Sequence, residues 1–441
     1  MDIAKKRFLL GSFFVVILTL FFNLGNSTPL ALLGYFLLSL MVTSLSAIYL
    51  RIASFPKMAL LTTLVVLPLV VSQVVEFFMA ERIFAYPLYI PFAAILLCLL
   101  LGSEIALFSS FFLSLIMAGV LDVEPVRFCM LNFTTSLVAI LYAKNMHKQK
   151  EIFPIVCKVW LSSLILIISF HFIDNSLWSP QLLDDALYSF LFMLGSALLV
   201  IAILPILESV FNVMTDMTLL EFADPGSPLL KRLSLEAPGT YQHSLVVGNL
   251  AEAAARAISA NGLFCRVSTL YHDIGKLFNP HYFNENQLGG LNIHQLLTPK
   301  ESAGVIIAHI TEGETLARKY RLPKSFVDII KEHHGTTLVQ HFYSKQCELT
   351  PEVNLNDFCY RGPKPRSKES AIIMIADKVE AASRSLTEVS EESIAKMVEQ
   401  LVTEKVRDGQ LDECQLTFEE LKAVKKEMIK TLIIARHLRV K

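Results

Sequence analysis

Five histidines and two aspartates in the second half of the chain lie beside helix-forming apolar runs rather than in polar loops. They are His243, His272, Asp273, His309, His333, His334 and Asp377. His243 follows the Pro238-Gly239 break at the start of a helical pattern through Leu245, Val246 and Leu250. His272 and Asp273 are adjacent, with Lys276 three residues on, and His333 and His334 are adjacent and followed by Gly335. His309 ends the apolar run from Val305, and Asp377 ends the run from Ile372. His294 is not part of the set.

Burial gives these residues a common purpose. A carboxylate within an apolar helix is costly unless it is paired or coordinates a metal. The cations near Asp377 in sequence, Lys378 and Arg384, fall on other helix faces. Imidazoles combined with carboxylates suit first-row divalent ions. Two such ions about 3.5 to 4 Å apart are a recurrent solution to phosphoester hydrolysis, which they assist by activating water and neutralising phosphoryl oxygens. Asp273 has the two oxygens needed to bridge a pair. Each residue alone has a plainer explanation. A lone histidine on an apolar face is more often a hydrogen-bonded core residue, His333-His334-Gly335 would close an ordinary helix, and Lys276 would suit any solvated surface.

The elements that must carry these residues read as all-α. From residue 212 onward, charged amphipathic patterns alternate with Pro/Gly breaks, and period-two alternation is scarce. The expected divisions are a membrane region over 1–211, a linker helix over 212–236, a catalytic domain over 237–390, and C-terminal helices over 391–441 packed on it.

The first half is built for lipid. The composition is 53% hydrophobic and only 18% charged, with mean hydropathy +0.51. About eight apolar runs approach the roughly 20 residues that cross a bilayer. They run Phe8 to Leu24, Leu30 to Leu50, Met58 to Met79, Phe84 to Leu101, Glu104 to Val120, Val126 to Tyr142, Ile155 to Ile173 and Ala186 to Phe211. The fourth to sixth are short enough to be merged or re-entrant. The first has the basic start of a signal peptide, but no small-x-small site follows before the next run. With the N-terminus inside, Lys5, Lys6, Arg7, Arg51, Lys57, Lys144, Lys148 and Lys150 fall on the cytoplasmic side, and an even number of spans returns the chain there. The catalytic half is therefore expected at the cytoplasmic face of the cell membrane. Glu104, at a helix start, is read as a loop or snorkelling acid.

A formal net charge of −1 provides no bulk field for a DNA or RNA polymer. The seven cysteines contain no CxxC pair, which excludes a zinc ribbon and favours free thiols.

The motifs resemble one family closely. EAPGTYQHSLVVGNLAEAAA from Glu236, YHDIGK from Tyr271, YFNENQ from Tyr282, HHGTT from His333, YRGPKPRSKESAIIMIADKVEAASRS from Tyr360 and DGQLDECQLTFEEL from Asp408 are similar to the seven-transmembrane-receptor HD family of cyclic di-AMP phosphodiesterases. The resemblance covers nearly all of 205–440 and, more loosely, the spans. It implies that His243, His272, Asp273 and Asp377 hold one metal and that Asp273, His309, His333 and His334 hold the other. The two divalent ions would be iron or manganese, and cyclic di-AMP would be cut to linear pApA. Asp273 and Lys276 would be catalytic, with Lys276 meeting a phosphate oxygen, while Tyr282, Asn286 and Gln287 would shape the substrate pocket. Two other readings stand beside this one: a membrane receptor or scaffold that binds a nucleotide without cutting it, and an HD hydrolase of another nucleotide. The sequence leaves a homodimer open. One departure from the family pattern is that only about five residues, Gly25 to Pro29, separate the first two apolar runs, so no external sensor domain fits there.

Overall fold

The computed structural model describes residues 55–78, 86–121, 123–211, 213–287, 293–350, 352–386 and 390–437. The chain divides into two compact units, the first ending at Met217 and the second spanning Thr218–Lys441.

The first unit contains α1 (Phe55–Phe78), α2 (Pro91–Leu101), α3 (Ser103–Val120), α4 (Pro125–Ala143), α5 (Ile152–Ile173) and α6 (Gln181–Phe211). Among the described residues, three stretches are long and apolar enough to cross a membrane: Pro125–Ala143, Gln149–Ile173 and Gln181–Phe211. The first two expected spans lie outside the described residues. The fourth, read from sequence as short enough to be merged or re-entrant, is shorter than its apolar run. Its helix has 11 residues, about 16 Å at 1.5 Å per residue, half the hydrocarbon thickness. The break is Gly102, whose φ of 103° is costly for any residue with a Cβ. Its N–H still bonds the carbonyls of Leu97 and Cys98, so the chain turns into α3 with those carbonyls satisfied.

Lipid as solvent explains which side chains face inward. Leu107, Phe111, Leu115, Met130, Leu137 and Leu141 are exposed, whereas Ser109, Ser110, Ser114, Asn132, Thr135 and Ser136 are buried between the helices. Small and hydroxylated residues allow close helix approach where apolar burial gives no advantage over lipid. Asn132 accepts from Ile90 N at 3.2 Å and donates to Pro87 O at 2.8 Å, fixing the backbone that leads into α2. Glu104 is exposed in the first turn of α3, in keeping with the loop or snorkelling reading.

The second unit contains α7 (Asp216–Phe222, starting just before the division), α8 (Pro228–Glu236), α9 (Pro238–Ala257), α10 (Gly262–Thr269), α11 (Pro299–Lys319), α12 (Lys324–Glu332), α13 (Gln340–Leu349), α14 (Lys368–Arg384), α15 (Glu391–Arg407) and α16 (Phe418–His437). The described residues contain one isolated bridge, Leu338 to Cys359, and no named strand, so the fold is all-α as expected. Its core joins the apolar faces of α9 (Val247, Leu250, Ala251), α14 (Ile372, Ile373, Ala376), α15 (Val398, Val402) and α16 (Val424, Met428). All seven cysteines are free.

Candidate metal centre

Each donor is placed by a specific local device. His243 lies in the second turn of α9, whose entry is held from across the chain. Ala237 offers no capping side chain, and Asn286 instead accepts from Thr240 N at 3.1 Å and donates to Thr240 Oγ1 at 2.9 Å. His272 and Asp273 form the turn between α10 and the 3-10 segment Ile274–Phe278. His309 rides on α11, which begins with a complete Thr298/Glu301 capping box. His333 is the C-cap of α12, and Gly335 takes φ of 53°, so His333-His334 both ends a helix and presents two rings on one side. Asp377 comes from α14, capped by Ser367.

These five segments bring together every donor expected from the sequence. His243, His272, Asp273 and Asp377 form one group and Asp273, His309, His333 and His334 another, with the donor atoms of each group within 4.8 Å of one another. Asp273 belongs to both. Its Oδ2 lies 3.2 Å from His272 Nε2 and 3.7 Å from His243 Nε2, while its Oδ1 lies 3.3 Å from His309 Nε2 and 3.6 Å from His333 Nε2. Asp377 Oδ1 is 2.9 Å from His243 Nε2, and its Oδ2 is 3.8 Å from His334 Nδ1.

The hydrogen bonds show that this cage suits cations. The Nδ1 atoms of His272, His309 and His333 contact the carbonyls of Thr269, Ile306 and Ile330. A carbonyl only accepts, so each Nδ1 carries the proton, and in the neutral ring Nε2 presents a bare lone pair inward. The Nε2 atoms of His309 and His333 then face each other at 3.4 Å, beside a carboxylate oxygen. His272 Nε2 and Asp273 Oδ1 are buried without a hydrogen-bond partner. Lone pairs converging with no proton between them are the donor set of a metal site whose outer hydrogen bonds are already made. The protonation tendencies divide: His309 is held neutral, whereas the two carboxylates draw a proton onto His272, where a cation would otherwise answer them. Burial disfavours charge on His272, but Asp273 and Asp377 outweigh it and push its pKa up to about 10. Burial, helped by His333 and Lys276, takes His309 down to about 4 despite Asp273.

Several contributors have no obvious sequence signal. Glu380 Oε2 lies 2.7 Å from His243 Nδ1, and its Oε1 accepts from Arg384 Nε at 2.7 Å, so a buried carboxylate orients the ring from behind. Its only hint is its position one turn beyond Asp377 on the same helix face. Glu285 shares Lys276 with Asp273, at 2.6 and 2.8 Å from Nζ. Tyr360 stacks on His334 with ring centroids 4.3 Å apart. Because second-sphere partners of metal-bound histidine contribute about 10 to 100-fold in affinity, Glu380→Gln is expected to weaken metal binding by that order. Titration calorimetry with Mn2+ checks this, and unchanged affinity would remove Glu380 from the site.

The expected substrate residues fare differently. Lys276 is engaged by two carboxylates, Asn286 by Thr240, and Gln287 donates to His281 O at 3.0 Å. Tyr282 lines a cavity of about 440 Å³ with Phe283, His294 and Phe342. A larger cavity of about 780 Å³ opens onto His333, His334, Tyr360 and Asp377.

Comparison with known proteins matches residues 29–215 to the model described as a 7TM receptor with intracellular HD hydrolase, and residues 240–382 to the HD domain. The chain is 36% identical over 390 residues to cyclic-di-AMP phosphodiesterase PgpH of Bacillus subtilis (strain 168), covering 87% of this chain and 54% of the relative. It is 37% identical over 354 residues to the protein of that name from Listeria monocytogenes serotype 1/2a (strain 10403S), covering 79% and 49%. The chain thus spans about half the length of these curated relatives. The crystal structure of the L. monocytogenes PgpH HD domain in complex with cyclic-di-AMP is 46% identical, covers 47% of this chain and 98% of that one, and has a TM-score of 0.46.

Proposed function

Because the chain belongs to the family of 7TM receptors with an intracellular HD hydrolase, we propose that it is a membrane-bound, metal-dependent phosphodiesterase that opens cyclic di-AMP to linear pApA at the cytoplasmic membrane face. The observation that carries this reading is Asp273, whose two oxygens face two separate donor sets. The names of the curated relatives support the substrate, and the distribution of Lys and Arg between loops supports the orientation. Mixed imidazole and carboxylate donors suit iron or manganese.

Two divalent cations held there would supply Lewis acidity to the phosphoryl oxygens and a nucleophile at neutral pH. The protein's own part is positional. Lys276, itself anchored by Glu285, holds the shared carboxylate of Asp273, and burial keeps bulk water from competing with it. Burial alone would raise the Asp273 pKa, but His272 and Lys276 hold it well below the usual range, so the bridging group stays ionised. Glu380 and Arg384 fix the His243 ring, and Tyr360 backs His334.

The test uses the full chain purified in detergent. With Mn2+ or Fe2+ it is expected to convert cyclic di-AMP to a product with the mass of linear pApA. Chelation is expected to abolish turnover, and returning the metal to restore it. Binding without product would make the protein a nucleotide receptor instead, and turnover only of another nucleotide would reassign the substrate.

A further inference from the structure

The 780 Å³ cavity beside the metal centre is within the range of about 300 to 1,000 Å³ common for ligand sites. Part of its lining comes from α15, beyond the residues matched by the HD-domain model. This part includes Lys405, which is 6% exposed. No ion pair or hydrogen bond of its amino group is present among the described residues. Of the other cations lining the cavity, Arg407 is paired with Asp408 at 3.4 Å, while Lys378 is exposed and makes no ion pair among the described residues, so Lys405 differs from it in burial.

A lysine side chain so largely buried is rarely left without a partner. Burial, reinforced by Lys378, lowers the Lys405 pKa from its usual value, against smaller opposing effects of Glu404, Asp408 and Asp377. Lys405 continues the face of α15 that buries Ile394, Val398 and Val402, so its aliphatic stem packs as they do, and the residue also lines the cavity. An anion entering the cavity would supply the partner that the described residues do not.

Resting on the phosphodiesterase reading above, we propose that Lys405 binds the second, uncleaved phosphate of the cyclic dinucleotide while the first lies at the metal centre. A cyclic dinucleotide carries two phosphodiesters on opposite sides of one ring. Placing one against His333, His334 and Asp377 commits the other to the same cavity, which Lys405 lines. Lysine serves such a group as a point charge. A simple diester has no second phosphate and gains nothing from this contact.

The experiment compares the full chain with Lys405→Met and Lys405→Arg on two substrates, cyclic di-AMP and bis(4-nitrophenyl) phosphate. A charge-assisted contact predicts that Lys405→Met raises KM for the dinucleotide about tenfold or more relative to the change for the simple diester. Lys405→Arg should recover part of the difference. The thermal midpoint of Lys405→Met should equal or exceed that of the parent, because an unpaired buried charge is replaced by an apolar chain of similar length. Equal KM changes on both substrates, or a lowered midpoint with parallel losses, would assign Lys405 a structural role and overturn the proposal. An unmodified enzyme that cuts cyclic di-AMP while the two variants match it sinks Lys405 alone. Failure of the unmodified enzyme to cut cyclic di-AMP overturns both readings.

Discussion

Asp273→Ala is expected to reduce turnover by about a thousandfold or more, in line with the loss of a single preorganised electrostatic group at a reacting centre. The reason is its double membership. Oδ2 faces His243 and His272, and Oδ1 faces His309 and His333, so one substitution removes a donor from both sets. The decisive measurement is metal stoichiometry alongside rate. Asp273→Ala should lose both ions in elemental analysis, whereas Asp377→Ala, whose carboxylate belongs to one set only, should lose chiefly one. The variant should still fold, because Lys276 keeps Glu285 as its partner at 2.6 Å. Retention of both ions and of turnover by Asp273→Ala would show that the carboxylate does not join the two sites.

Gly275→Ala is expected to be nearly as damaging, without touching a donor. A Cβ at Gly275 would lie 1.8 Å from the His309 carbonyl oxygen and 2.6 Å from Gly313 N. Both are backbone atoms of α11, so neither can rotate away, and the turn carrying His272 and Asp273 must separate from the helix carrying His309. Overpacking of this kind costs about 3 kcal/mol at the upper end of the usual range. The thermal midpoint should fall, and hydrolysis should drop together with metal affinity. Gly304→Ala on the same helix is the control. Nothing lies within 4 Å of the added methyl, so helix propensity should leave the protein unchanged or slightly more stable. If Gly275→Ala behaved like Gly304→Ala, the close approach of turn and helix would not matter to the site.

What could be read from the residues follows from how strongly each one's chemistry conflicts with its surroundings. Asp377 in an apolar helix and adjacent histidines beside apolar runs are costly unless they share a partner, and that cost is visible in one dimension. The all-α fold was legible for a similar reason, since period-two alternation is scarce. Glu380, Glu285 and Lys405 escaped notice because acids and lysines on amphipathic helices or short turns are ordinary. Only the folded chain shows that Glu380 and Lys405 are buried and that Glu285 is half-buried. Lys276 was legible as important, but its engagement by Glu285 depends on a 3-10 turn that no periodicity announces. Asn286 was expected in the pocket and instead holds the entry of α9. An unfilled cap at Ala237 leaves backbone N–H groups in need, and an amide from 46 residues away is no signal in sequence. In the membrane half, hydropathy registers apolar length, and Gly102 breaks a helix without altering that average.

The turn after the double histidine is tied down from outside the HD motif. Gln410, buried beyond α15, accepts from Thr336 N at 3.0 Å and donates to Thr336 Oγ1 at 3.0 Å. A fragment trimmed at the edge of the HD match would therefore retain every donor while losing the brace that holds His334 and Gly335 in register. The working boundary of the donor cage is mechanical, and it lies past Gln410.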